Sequence, residues 1–474
     1  MKGVYAVDDV RAAEAALMAE LPEGALMQRA AQALAVHCGL SLERVYGAQV
    51  VLLVGRGNNG ADALFAGARL AARGARVTAL LLDPEHAHAD GLVALDRAGG
   101  RTTGADPAAI TGADLVVDGI VGIGGRGGLR GAAIELAAAA ADVLTIAVDV
   151  PSGVDADTGW VGDDAIQADV TISFGALKPG LVVGPGADLA GEVRLVDIGL
   201  GPHLPAARTQ LLEANDVRAL LPHPDAADDK YTRGVVGVAA GSEQYAGAGV
   251  LATGAAVHGG AGMVRYVGTA PDQIRARYPE VIVHPEARPQ DVRVQAWVVG
   301  PGLGTDDTAM SLLSDVLRTD LPVIVDADAI TLVARSPGLV RGRSAPTVLT
   351  PHDREFARIA DRPTADRLAS VRRAAHDLGA TVLLKGNATV IAAPDGVAYI
   401  NATGTPWLAT AGSGDVLSGL IGSLLAAGLP APLAAAAGAY VHGVAGQRAG
   451  AHGPSSATDV LAELRGAMRS ITAG

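Results

Sequence analysis

Short apolar runs alternate with helix-like segments along most of the chain. In the first half, residues 50–54 read as a strand, 61–72 as a helix and 77–82 as a strand, with further apolar runs at 115–117, 144–148 and 170–174. Most of these runs lead into a loop that holds Gly or Asp. The alternation predicts an α/β fold of parallel strands covered by helices. The first forty residues read as helical, with apolar positions at helical spacing around 25–36. The rhythm loosens between about 199 and 230, where Pro202, Pro205, Pro222 and Pro224 stand. A boundary is expected near residue 210, to within about ten residues, giving domains over 1–210 and 211–474. A second α/β pattern then begins, with strands at 235–239, 263–267, 296–299 and 323–325 and a helix at 250–257. "TVLLKGNATVIAAPDGVAYIN" reads as paired strands around a turn at Asp395-Gly396.

At 474 residues the chain is too long for one ordinary core, which agrees with two domains. Hydrophobic residues make up 49% and aromatics only 3%, so the core must be built from small aliphatic side chains. A formal net charge of −13 argues against nucleic acid as a partner, but leaves room for a small phosphorylated ligand held by one loop. Cys38 is the single cysteine, which rules out an intrachain disulfide and a thiolate metal cluster. Asp8, Asp9 and Glu14 near the start do not suit a signal peptide, and a cytoplasmic homo-oligomer is expected. Residues 416–447 carry no formally charged side chain and are long enough to span a bilayer. Pro430 and Pro432 interrupt that stretch, which predicts two shorter helices in a soluble core and no membrane span.

The first half offers four loops with chemical potential. In "GRGNNGAD", Gly55, Gly57 and Gly60 spell G-x-G-x-x-G between a strand and a helix, a context for anion binding at a helix N-terminus. Asp62 stands at the helix start, where a pyrophosphate needs positive potential. Asn58 and Asn59 add amides that suit an oxygen-ligated cation or a ribose. A tight strand-to-helix turn is the plain structural alternative. Further on, Asp118 precedes a glycine loop over 122–128, Asp149 and Ser152 follow the next apolar run, and Lys178 lies in "FGALKPGL". Asp118 and Ser152 could cap helices and Lys178 could be a solvated lysine. In an open parallel sheet the strand ends converge, and these residues together supply oxygen ligands, an acid/base candidate and a cation.

In the second half, "ATAGSGDVLSGL" places Gly412, Ser413 and Gly414 at the opening of a helix, with Asp415 at its positive end. The helix dipole is expected to keep Asp415 ionised, which suits a base beside a nucleotide γ-phosphate. A helix cap is the structural alternative. No G-x-x-x-x-G-K-[ST] occurs, so a P-loop is not expected. Lys385 and Thr389 in "LLKGNAT" suit phosphates or a ribose, and "VLTPHDREF" offers His352 and Glu355. Gly302 and Gly304 permit close backbone approach.

Over about residues 10–205 the quoted motifs resemble the epimerase domain of the NAD(P)HX repair enzymes, a Rossmann-like three-layer α/β/α domain. The resemblance implies a potassium ion held by Asn59, Asp118 and Ser152. It implies hydrated cofactor bound by Asn58, Asn59, Gly60, Ala61 and Asp62, by Gly122, Ile123, Gly124, Gly125, Arg126, Gly127 and Gly128, and by Asp149. Asp149 is assigned the acid/base role and Lys178 an electrostatic one. The family has G-G-D-G where this chain has Gly60-Ala61-Asp62-Ala63. Residues 215–470 resemble the ADP/ATP-dependent NAD(P)HX dehydratase, a ribokinase-like domain. This implies adenine nucleotide bound by Lys385, Gly386, Asn387, Ala388 and Thr389 and by the segment from Thr405 through Gly412, Ser413 and Gly414, with Mg2+. Ala248, Gly304, His352 and Asp415 would bind the hydrated cofactor, with Asp415 the base. The family often has Gly-Asn where this chain has Gly404-Thr405-Pro406. The competing reading is a ribokinase-like kinase for a vitamin alcohol fused to a nucleotide-binding module.

Overall fold

The computed structural model describes every residue of the chain except Arg126, Glu286, His452 and Gly474. The chain divides into two compact units, Gly3–Ala207 and Met1–Lys2 with Arg208–Gly474.

The first unit is built on seven strands: β1 (Gln49–Val54), β2 (Arg76–Leu81), β3 (Arg101–Gly104), β4 (Leu115–Gly119), β5 (Thr145–Val148), β6 (Val170–Phe174) and β7 (Glu192–Val196). Their spatial order is β3-β2-β1-β4-β5-β6-β7, and every pairing is parallel. The order reverses between β1 and β4. That is the switch point outside whose strand ends ligands bind in open α/β sheets. Central strands are apolar on both faces because helices cover both, so they were readable as continuous runs. The edge strand β3 is fully exposed and β7 holds no buried residue, and neither carries a long apolar run to find. Helices Val7–Glu20 and Ala25–Ser41 occupy the first forty residues, as their spacing predicted. Cys38 lies at the bottom of this core, and burial pushes its thiol up to about 12.

The helix after β1 spans Asn58–Ala72 and so starts three residues before its apolar pattern does. Its first turn is packed by backbone, which hydrophobicity does not register. A Cβ at Gly55 would collide with the Ile120 carbonyl, and one at Gly60 with the Gly55 carbonyl. Position 57 faces open space.

The second unit carries β8 (Thr209–Leu211), β9 (Val235–Ala239), β10 (Met263–Val267), β11 (Ile282–Val283), β12 (Ala296–Val299), β13 (Val323–Val325), β14 (Thr347–Leu349), β15 (Thr381–Leu384), β16 (Thr389–Ala392) and β17 (Ala398–Asn401). These ten lie in the order β8-β17-β16-β15-β14-β13-β12-β9-β10-β11. From β15 to β11 the neighbours are parallel, whereas β16 is antiparallel to both β15 and β17. The turn at Asp395-Gly396 joins β16 to β17, and "KGNA" is itself the hairpin loop between β15 and β16.

The uncharged stretch forms helices Ser413–Ala426 and Ala431–Gly450, broken at Gly428 (φ +93°) and Pro430. Among the described residues no helix is long and apolar enough to cross a membrane. Small residues let backbones meet here: a Cβ at Gly419 would strike the Ala252 carbonyl of helix Ala246–His258. Trp297 is the bulkiest fully buried side chain, and its ring lies over Gly237.

Candidate active sites in the two units

In the first unit the polar groups gather at the C-terminal edge of the sheet. Asp118, near the end of β4, is completely buried. Its Oδ1 accepts from Ser152 Oγ (2.6 Å) and Ile120 N (3.2 Å), and its Oδ2 from Ser152 N (2.8 Å). These two residues therefore hold each other and cap no helix. Burial pushes the Asp118 carboxyl up to about 6, against those hydrogen bonds. Asn59 donates from Nδ2 to the Val148 carbonyl, which leaves its Oδ1 as an oxygen donor, and a Cβ at Gly122 would meet that same amide. Val121 O accepts from Ser152 Oγ at 3.0 Å. One carboxylate, an amide, a hydroxyl and backbone carbonyls thus cluster around β1 and β4.

Asp149 directly follows β5 with φ +67°, a left-handed conformation unusual for a residue other than glycine. Its Oδ1 accepts from Lys178 Nζ (2.5 Å), Phe174 N (3.1 Å) and Ser173 Oγ (3.3 Å). Lys178 is 1% exposed, so the solvated-lysine reading fails. Its ammonium also donates to Ser173 Oγ (3.1 Å) and Phe174 O (3.0 Å), which uses all three N–H groups. Asp62 is buried, and burial followed by the charges of Asp149 and Glu14 raises its carboxyl well above the usual range. Ala61 and Ala63 are fully buried, and Ala63 packs against Gly119. Gly122 and Gly125 close a turn (N···O 2.9 Å), while Arg126 lies outside the described residues.

Glu14 was missed as a site residue. It projects from helix Val7–Glu20 toward Asp149, and burial and that like charge raise its carboxyl. The signal existed: Glu14 interrupts the apolar stripe Val7, Val10, Leu17 at helical spacing.

In the second unit Asp415 lies in the first turn of helix Ser413–Ala426, whose cap Gly412 has φ +90°. The dipole alone does not set its charge. Burial and Asp326, with Asp328 and Glu355, outweigh Lys385 and push the carboxyl up to about 7. Lys385 Nζ lies 3.1 Å from Asp326 Oδ1 and 3.8 Å from Glu355 Oε2. Burial opposes its charge, but Asp326, Glu355 and Asp415 raise its pKa. Gly414 passes directly beside Lys385 Nζ and Asp326. Asp326 Oδ2 accepts from Ser418 Oγ (2.7 Å), one helical turn beyond Asp415.

The other expected residues are placed around this cluster. His352 caps helix Asp353–Ile359 with Nδ1, and its backbone N–H donates to Glu355 Oε2 (2.9 Å). Gly304 (φ +84°) donates to Asp328 Oδ2 (2.9 Å), and Ala248 packs against Gly302. Gly404 tucks against the Asn387 carbonyl, which brings the Lys385–Thr389 hairpin loop to the segment before Thr405. Thr405 Oγ1 accepts from Trp407 N, so its side chain caps the turn Pro406–Leu408. Asp326 and Asp328 escaped the sequence reading. Between them Ala327 has φ +51°, strain worth about 1–3 kcal/mol, with Asp326 meeting Lys385 and Ser418 on one side and Asp328 meeting Gly304 on the other. Their signal was "VIVDADAI", an acid directly after an apolar run, as at Asp118 and Asp149.

With this geometry in hand, the chain can be compared with known proteins. Residues 23–180 match the family described as YjeF-related protein N-terminus, and residues 236–464 match that described as NAD(P)H-hydrate dehydratase. The bifunctional NAD(P)H-hydrate repair enzyme of Mycobacterium tuberculosis is 53% identical over 445 residues, 92% of each chain. The enzyme of the same description from Mycobacterium leprae is 50% identical over 484 residues, 99% of this chain and all of that one. Among solved structures, a ribokinase-like superfamily protein from Enterococcus faecalis has a TM-score of 0.51 and 27% identity, covering 57% of this chain and 99% of that one. Both matched regions coincide with the two clusters, and the first relatives span both. The chain belongs to the family of bifunctional NAD(P)H-hydrate repair enzymes.

Proposed function

We propose that the first unit interconverts the R and S epimers of hydrated NADH and NADPH, and that the second dehydrates the S epimer at the expense of ADP or ATP. The observation that carries the second activity is Asp415, poised at about 7 beside the cationic Lys385 at a glycine-opened helix. A base so poised takes the proton of the C6 hydroxyl as that oxygen attacks the terminal phosphorus of the nucleotide. The phosphorylated C6 oxygen then leaves as phosphate, a proton leaves C5, and the C5=C6 bond of the dihydronicotinamide is restored. The Lys385–Thr389 loop and the peptide N–H groups after Gly412 hold the nucleotide. Among the described residues no three His, Cys, Asp or Glu converge as a metal cage. Mg2+ would accordingly arrive chelated by nucleotide phosphates.

The donors Asn59, Asp118 and Ser152 fit a potassium ion, because all are oxygens and a single carboxylate supplies one charge. Held by Asn59, Asp118 and Ser152, a potassium ion would supply a fixed positive charge that favours ionised Asp118. Protonation of Asp118 competes with that binding below about pH 6. Added potassium should therefore raise the thermal midpoint at pH 7.5 and do so much less at pH 5, compared with a larger organic cation.

The direct test supplies each epimer of hydrated NADH with ATP or ADP and follows NADH absorbance and phosphate release. Recovery of NADH with one phosphate per turnover is expected. A retained phosphoester without NADH would favour the small-molecule kinase reading.

A further inference from the structure

Asp62 differs from Asp118 and Asp149, the two acids at the neighbouring strand ends. Both oxygens of Asp118 accept hydrogen bonds, and Asp149 Oδ1 accepts three. Asp62 Oδ1 is buried with no hydrogen-bond partner. Its charged neighbours are Asp149 and Glu14, both carboxyl groups. Lys178, the buried cation paired with Asp149, is fully used by Asp149, Ser173 and Phe174. Arg11 acts on Glu14 from the same helix but is exposed. A buried carboxyl among acids, with no donor turned to it, holds its proton. An acid kept neutral in this way is equipped to donate.

We propose that Asp62, in place of Asp149, is the catalytic acid and base of epimerisation, acting on the C6 hydroxyl of the hydrated nicotinamide. Asp149, tied to Lys178, is the fixed anion beside the ring, and Glu14 is a positioning residue that keeps Asp62 neutral through its charge. The inference rests on the epimerase reading above. In the forward step Asp62 gives its proton to the C6 hydroxyl oxygen. The C6–O bond breaks, water leaves, and the N1 lone pair forms N1=C6. The cationic ring is then balanced by ionised Asp62, with Asp149 still paired. Water adds to the other face of C6, the N1=C6 electron pair returns to N1, and the surplus proton passes back to Asp62 through the water that left. No oxidant is needed, and the acid is regenerated.

The full-length chain provides its own control. With ATP present, S-hydrate reports the second unit alone, and R-hydrate requires both. Wild-type turnover of R-hydrate tests the epimerase reading itself. Given that turnover, Asp62→Asn should slow NADH formation from R-hydrate by about a hundredfold or more and leave the S-hydrate rate unchanged. Asp62→Glu should restore part of the loss. Glu14→Gln removes a like charge, lowers the Asp62 pKa, and should move the alkaline limb of the R-hydrate profile to lower pH. An Asp62→Asn rate within about threefold of wild type, or an unmoved limb in Glu14→Gln, would each overturn the proposal.

Discussion

At the residue scale, Asp415 is a base whose charge is contested. Burial and three acids hold its proton on, while Lys385 pulls it off. A general base works only when deprotonated, so kcat/KM for S-hydrate should rise with pH and level off above about 7. Lys385→Met removes the only cation of that balance and should carry this limb to higher pH, which a pH–rate profile would read. Asp415→Asn should lower dehydration by about 10²–10⁴-fold. Asp118, Asp149, Lys178 and Asp415 were legible in the sequence because each is a polar residue standing directly after an apolar run or glycine loop. Glu14 was not, because the acids it meets lie 48 and 135 residues further along, at Asp62 and Asp149, and only the fold joins them. The protonation state of Asp415 was illegible for the same reason: helix position is local, whereas Asp326, Asp328 and Glu355 arrive from other strand ends.

At the element scale, helix Ser413–Ala426 is held where its N-terminus can present Asp415 by glycine-mediated contact with helix Ala246–His258. Gly419→Ala drives a methyl into the Ala252 carbonyl, and neither backbone can yield cheaply. A loss of about 1–3 kcal/mol is expected, measured by urea unfolding, together with reduced turnover of S-hydrate. Central strands were readable to within a residue or so, because burial on both faces demands uninterrupted Val, Ile and Leu. The edges β3 and β7 were not, because a half-solvated strand has no such requirement. The start of helix Asn58–Ala72 was hidden since backbone packing by Gly55 and Gly60 leaves no trace in hydrophobicity.

At the scale of the whole molecule, each compact unit holds a cluster of buried acids with a lysine paired to it. The two chemistries should then fail separately. Asp415→Asn should still interconvert epimers, followed by chromatography of the hydrates, while Asp149→Asn should still convert S-hydrate to NADH. Equal loss of both in either variant would contradict separate sites. The division into two α/β units was legible from one irregular, proline-bearing stretch between two strand–helix rhythms.

Cys38 adds a practical consequence. The chain's single sulfur nucleophile is hidden in the core and held as a thiol far above neutral pH. The native protein is therefore blank to maleimide chemistry. A cysteine substituted for exposed Tyr46 and another for exposed Ile282 would be the sole reactive handles, one in each unit. A fluorescent or spin-label pair placed there would turn the chain into its own ruler, reporting whether the two halves move together during turnover, without first removing the native cysteine.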